Sequence, residues 1–202
     1  MIILVLDSCG PSCGVCVWQD GTIRAEKTEK MERGQDARLM PMVVETLAQA
    51  GITFQSLDRI AVTRGPGSFT GVRVGLAAAR GIGLASNKPV IGIDRFSIYR
   101  ALNPAGNLLA IIASKRAELF CQYFPAATAP HPPCMMTPQE IDAFLAAHSD
   151  IVRKGDAVEP DQNILSACAA LAAKADAQDP AYEARPLYLR APDVTLPAAK
   201  SR

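Results

Sequence analysis

The stretch Arg64–Gly83, RGPGSFTGVRVGLAAARGIG, decides how the chain is read, because small residues recur in it at every fourth position: Gly67, Gly71, Gly75, Ala79 and Gly83. From Ser68 onward it reads as a helix, with Ser68 as N-cap, Leu76, Ile82 and Leu84 as apolar contacts, and Asn87 before Lys88-Pro89 as the stop. Each interior glycine costs roughly 1 kcal/mol relative to alanine, so Gly75, Gly81 and Gly83 give up about 3 kcal/mol that close packing has to return. An every-fourth row is a ridge along which a second backbone can approach closely. Three readings compete: packing within the chain, a partner's helix, or an anion held by the Gly65-Pro66-Gly67 turn at the helix start. The turn is not a Walker loop, since Val72-Arg73 follows Gly71 where Lys-Ser/Thr would stand, and Gly67 to Gly71 misses the dinucleotide spacing.

Working outward, 202 residues suffice for one domain or two small lobes with a real core. Hydrophobic residues at 49% and charged residues at 20% mark a globular protein rather than a disordered one. A formal net charge of +1, with no long Lys/Arg stripe, gives no pointer to direct nucleic-acid binding. Ile2 to Leu6 is too short an apolar run for an export signal, and no later run approaches membrane-spanning length. The six cysteines therefore read as reduced thiols of a cytoplasmic protein. Cys13 and Cys16 have metal-like spacing, yet in a strand an offset of three sends them to opposite faces. His131 and His148, far apart in sequence, read as surface residues.

The first half has a legible order. Ile2–Leu6, Cys13–Trp18 and Thr22–Thr28 read as strands, the last two joined by the Asp20-Gly21 hairpin signal. Leu39, Met42, Val43 and Leu47 then mark one face of a helix closed by Gly51, and Pro41 predicts a start near Leu39 or a kink. A strand at Ile60–Thr63, the glycine-rich helix and a strand at Pro89–Ile93 follow. The second half repeats the order in shorter form. Leu108–Ala113 and Glu118–Phe124 read as a hairpin and Cys134–Met136 as a strand. Thr137-Pro138-Gln139-Glu140 opens a helix with a capping box, and Ile164–Lys174 is the last long helix. The fold class is thus α/β, with two ribonuclease-H-like lobes of the actin-like ATPase kind, at residues 1–100 and 101–202, each a mixed sheet flanked by helices. The segment from Arg185 to Arg190 and the Pro/Ala tail find no place in this scheme.

Particular residues also carry a family resemblance. Asp7-Ser8, Met40-Pro41-Met42, the block from Gly65 to Gly75, Ser114-Lys115-Arg116 and Tyr188-Leu189-Arg190 together resemble the TsaB (YeaZ) family, the Gly65–Gly75 block being the specific part. The resemblance implies a role in forming N6-threonylcarbamoyladenosine at position 37 of tRNAs that read codons beginning with A. It implies a non-catalytic subunit that pairs with the transferase subunit TsaD, is joined by the ATPase TsaE, and meets tRNA only through the complex. In the family the two first-lobe helices form the pairing surface, which also self-associates into homodimers. The related TsaD holds its metal with two histidines four residues apart, and aligning the strands puts Arg95 and Tyr99 at those places. Neither reproduces a pair of imidazole ligands.

The expected partner surface is therefore Leu39, Met42 and Val43 with Gly71, Gly75 and Ala79, rimmed by Arg73 and Arg80. The alternative turns the first helix's apolar side to its own sheet and leaves the arginines solvated. Asp7, Ser8, Gly65 and Gly67 are the candidates for a residual nucleotide or anion site. An actin-like ATPase needs an acid from each lobe, and the second-lobe place reads Ala113-Ser114, so a magnesium site is undersupplied. No catalytic residue, metal or cofactor of its own is expected, and ATP or ADP at a joint between subunits is compatible with the sequence. The competing function is an actin-like ATPase or phosphotransferase acting on a small substrate.

Overall fold

The computed structural model describes residues 1–160 and 163–189. Strand β1 (Ile2–Asp7) lies at the centre of a five-stranded sheet of order β3-β2-β1-β4-β5, formed with β2 (Ser12–Gln19), β3 (Thr22–Lys30), β4 (Arg59–Thr63) and β5 (Val90–Ile93). β2 and β3 run antiparallel to their neighbours, while β1, β4 and β5 are parallel. Alternation along β1 splits its side chains between two cores. Leu4 and Leu6 pack with α1 (Gln35–Ala50) and α2 (Phe69–Ser86) on one face, and Ile3 and Val5 face the other. Cys13 and Cys16 divide in the same way, one into each core, as their spacing predicts.

The second sheet has the order β8-β7-β6-β9, from β6 (Asn107–Ile112), β7 (Leu119–Phe124), β8 (Cys134–Met136) and β9 (Ile151–Lys154). It repeats the antiparallel-then-parallel pattern of the first without a fifth strand. Helix α4 (Pro138–Ala147) opens with the expected capping box and covers one face through Ile141 and Phe144. On the other face Leu108, Ala110 and Ile112 join the same core as Ile3 and Val5. Helix α5 (Leu165–Lys174), drawn from the second half of the chain, packs across β1, β2, β4 and β5. The two halves of the sequence therefore share one core rather than closing separately.

Two helix starts differ from expectation. α1 begins at Gln35, with Gly34 in the left-handed region at φ 93°, and runs through Pro41. Proline there removes the bond to the Ala37 carbonyl, but Pro41 and Ala37 are both exposed, so water can take that carbonyl. A further helix, α3 (Arg95–Leu102), follows β5 directly, where the sequence reading has none. Asp94 caps it by accepting from the Ser97 amide at 2.9 Å, and Phe96 and Tyr99 bury its inner side.

After α5 the chain returns to the first sheet. Segment 180–189 crosses beside β5, where a Cβ on Gly92 would lie 2.7 Å from the Glu183 carbonyl oxygen. The Leu187 amide donates to the Arg64 carbonyl at 2.8 Å. Arg190 and the tail beyond it lie outside the described residues. No described helix is long and apolar enough to cross a membrane.

Candidate functional site: a closed cleft and an open helix face

The row Gly71, Gly75, Ala79 is buried, and its neighbour is the chain itself. A Cβ on Gly71 would overlap the Ser8 carbonyl oxygen, and one on Gly67 would overlap that of Cys9. Gly75 leaves room for the Ser8 hydroxyl, which donates to the Gly71 carbonyl at 2.8 Å. The glycines thus let α2 press onto the loop after β1. That corrects the expected partner surface: Leu39, Met42 and Val43, at 1%, 0% and 0% exposure, face the first sheet's core, as do Gly71, Gly75 and Ala79. The physical reason is that an apolar row on an amphipathic helix is drawn first to the nearest apolar sheet.

Arg73 and Arg80 are exposed, and both reach the returning C-terminal segment rather than standing free as a rim. Arg80 donates to the Ala184 carbonyl, and Arg73 Nε donates to the Tyr188 hydroxyl at 3.0 Å. Nothing near either arginine in sequence announces a partner more than a hundred residues away.

The residual anion site is occupied by protein groups. Asp7 is buried and accepts from the Cys9 amide at 3.1 Å and from the Thr63 hydroxyl. Burial, reinforced by Asp7, pushes the Cys9 thiol up to about 12, so it is an inert neighbour. The Gly65 carbonyl accepts from the Arg95 amide, and the Pro66 carbonyl accepts from Arg95 Nη1 at 3.2 Å. Beside Gly10, Arg95 Nη2 meets Asp156 Oδ2 at 2.7 Å, and Asp156 Oδ1 accepts from the Ala113 amide. This ion pair links α3 to the turn after β9, across the two sheets, with both side chains at most 5% exposed. Burial disfavours the Arg95 cation, and Asp156 together with Tyr99, Asp7 and Cys9 outweighs it, raising the pKa above the ordinary arginine value. Arg95 and Tyr99 do share one face of α3, 3.3 Å apart, but a guanidinium that stays protonated cannot ligate a metal. The nucleotide site expected from the sequence would need an acid from each lobe at this place. Here the glycine turn is packed on Cys9, the Asp7 carboxylate is engaged and the gap is bridged, so the residues do not fit a nucleotide and its magnesium.

The open face is the other side of the same helices. Met40, Val44 and Leu84 are exposed at 40%, 56% and 87%, and Ala77, Gly81 and Ala85 are exposed beside them. A groove of about 370 Å³ runs between α1 and α2, lined by Met40, Phe54, Ala78, Gly81, Ile82 and Ala85. A Cβ on Gly81 would meet nothing within 4 Å. The residues expected to form the partner surface lie on the buried side of these two helices, and the exposed small residues lie on the other. His131 and His148 are exposed as expected, yet Tyr123 stands between them, 5.1 Å and 5.9 Å from the two imidazoles.

These two mixed sheets, with the shared strand pattern and the helices around them, make a two-lobed α/β fold on the ribonuclease-H plan. A profile of the family described as TsaD: tRNA N6-adenosine threonylcarbamoyltransferase matches residues 25–122. The tRNA threonylcarbamoyladenosine biosynthesis protein TsaB of Escherichia coli is 35% identical over 124 residues, 59% of this chain and 53% of that protein. The protein of the same name from Haemophilus influenzae is 35% identical over 127 residues, 59% of this chain and 52% of its own length. The chain spans about half the length of the curated relatives it matches. YeaZ from Pseudomonas aeruginosa shares the fold, with a TM-score of 0.73 at 24% identity over 93% of this chain and 99% of that one. The chain is thus similar to TsaB (YeaZ) proteins, in sequence over part of its length and in fold over nearly all of it.

Proposed function

We propose that this chain is a cytoplasmic, non-catalytic subunit of the assembly that forms N6-threonylcarbamoyladenosine at position 37 of tRNA, pairing with a TsaD-type transferase. The observation that carries the non-catalytic part is the closed cleft: Arg95 and Asp156 bridge the gap, and Asp7 is committed to Cys9 and Thr63. The partner would meet the outer face of α1 and α2 around Met40, Val44, Ala77, Gly81 and Leu84, in place of the inner row. A second copy of the chain could use the same face in a homodimer. A TsaE-type ATPase would join the pair, tRNA would be bound by the assembly, and any ATP or ADP would sit at a joint between subunits.

Titration of the purified chain with the TsaD-family protein of the same cell, followed by calorimetry, tests the reading. Stoichiometric binding and no magnesium-dependent ATP turnover by the chain alone are expected. Turnover that disappears in Asp7→Ala would contradict the non-catalytic part, and absence of binding would contradict the pairing.

A further inference from the structure

Arg73 is held in a way that a solvated arginine is not. Its guanidinium carbon lies 3.8 Å from the centre of the Phe69 ring, and its Nε donates to the Tyr188 hydroxyl. The Phe69 and Tyr188 rings are themselves in contact, with centres 5.2 Å apart. Tyr188 is fixed in turn by the segment before it, through Leu187 to Arg64 and Ala184 to Arg80. Stem, plane and Nε are thus all positioned, whereas the two Nη groups have no hydrogen-bond or ion-pair partner among the described residues. A guanidinium fixed at Nε presents its remaining N–H groups as a fork that matches two carboxylate oxygens, with little conformational freedom left to lose on binding.

We infer that Arg73, clamped by Phe69 and Tyr188, is a carboxylate-reading contact for an aspartate or glutamate side chain of the protein that docks on the outer face of α2. The inference rests on the pairing proposed above and assigns that face its charged end. Arg73 lies four residues before Ala77 and eight before Gly81, so on a helix it continues the exposed row of the docking face. A protein is favoured over RNA for two reasons. One face of the Phe69 ring is covered by Arg73 and so is closed to a base, and the row that continues from Arg73, Ala77 and Gly81, carries no charge.

Binding to the TsaD-family protein of the same cell, measured at 0.1 M and 1 M NaCl, tests the assignment. Arg73→Ala should bind about tenfold more weakly at low salt and Arg73→Lys nearly as weakly, because an ammonium lacks the fork, with both gaps narrowing at high salt. Tyr188→Phe should lose about threefold and keep the salt dependence, since the charge stays and only its positioning goes. Treating R73K with carbodiimide in the complex should join the introduced amine to an acidic residue of the partner, read by mass spectrometry. Wild-type affinity and salt dependence in both Arg73 variants would overturn the inference, as would variants that weaken tRNA binding or self-association alone. If the wild-type chain does not bind the partner at all, the pairing itself fails and Arg73 with it, an outcome distinct from binding that ignores Arg73.

Discussion

Along α2 the row Gly71, Gly75, Ala79 is turned toward the loop after β1, while the row Ala77, Gly81, Ala85 is turned toward solvent. Both rows are small, and both permit close approach, but only the inner one has its neighbour in place. On the inner side a missing Cβ admits the Ser8 backbone, and beyond that loop Arg95 and Asp156 bridge the cleft. On the outer side the same economy of side chains leaves a groove lined by Met40, Phe54, Ala78 and Gly81, with Val44 and Leu84 exposed on the same two helices. The difference teaches that a small-residue row signals close packing without naming the partner. Burial decides whether that partner is the chain itself.

The comparison can be strained most at the cleft. Arg95→Met should destabilise the protein by about 3–5 kcal/mol in urea unfolding, because Asp156 is left buried and unpaired. Adding Asp156→Asn should recover part of that loss, because no charge then remains buried, and a single variant that melts as the wild type would remove the bridge from the account. Next in size is Gly71→Ala, which forces a Cβ onto a backbone oxygen and should cost about 3 kcal/mol. The same substitution at Gly81, where the added carbon meets nothing, should stabilise by about 1 kcal/mol through helix propensity. Opposite signs from one chemical change would separate the two rows, and equal signs would merge them.

The smallest effect concerns how α1 is pinned to β3. Arg38 pairs with Glu29 and Glu45, and Lys27 pairs with Glu45, at the edge of the outer face. Hydrogen bonds from Arg38 and then Lys27 hold the Glu45 carboxyl at about 2, against an ordinary value of 4.5. A carboxylate depressed in the folded state stabilises fully above about 4.5 and loses that contribution as pH falls through about 2. Glu45→Gln should therefore flatten the fall of melting temperature across that window and change little near neutrality.

Much of this fold was legible because its signals are local. Asp20-Gly21 at the hairpin, Ser68 and Thr137 as caps, and the alternation of β1 each act within a few residues. Helix α3 was missed although Asp94 and Ser97 stand at capping distance and Phe96 and Tyr99 follow, a pattern shorter than the periods used to find helices. The site was harder for a different reason. The bridge joins residues 95 and 156, and the clamp joins 73 and 188, so neither leaves a mark in any window of sequence. The glycine row is a close-packing device, but its neighbour is the loop after β1 rather than the partner helix expected from the sequence. Its direction was not legible, because residues on both sides of α2 are small.

The central claim is that partners meet the outer row of α2 and not the inner one. Ala77→Glu places a charge in the middle of that row without touching the core, so its melting temperature should match the wild type. The decisive measurement is the affinity of this variant for the TsaD-family protein of the same cell. The account predicts a loss of at least about tenfold from burying an unpaired carboxylate in the contact. Wild-type affinity in a variant that folds normally would contradict it.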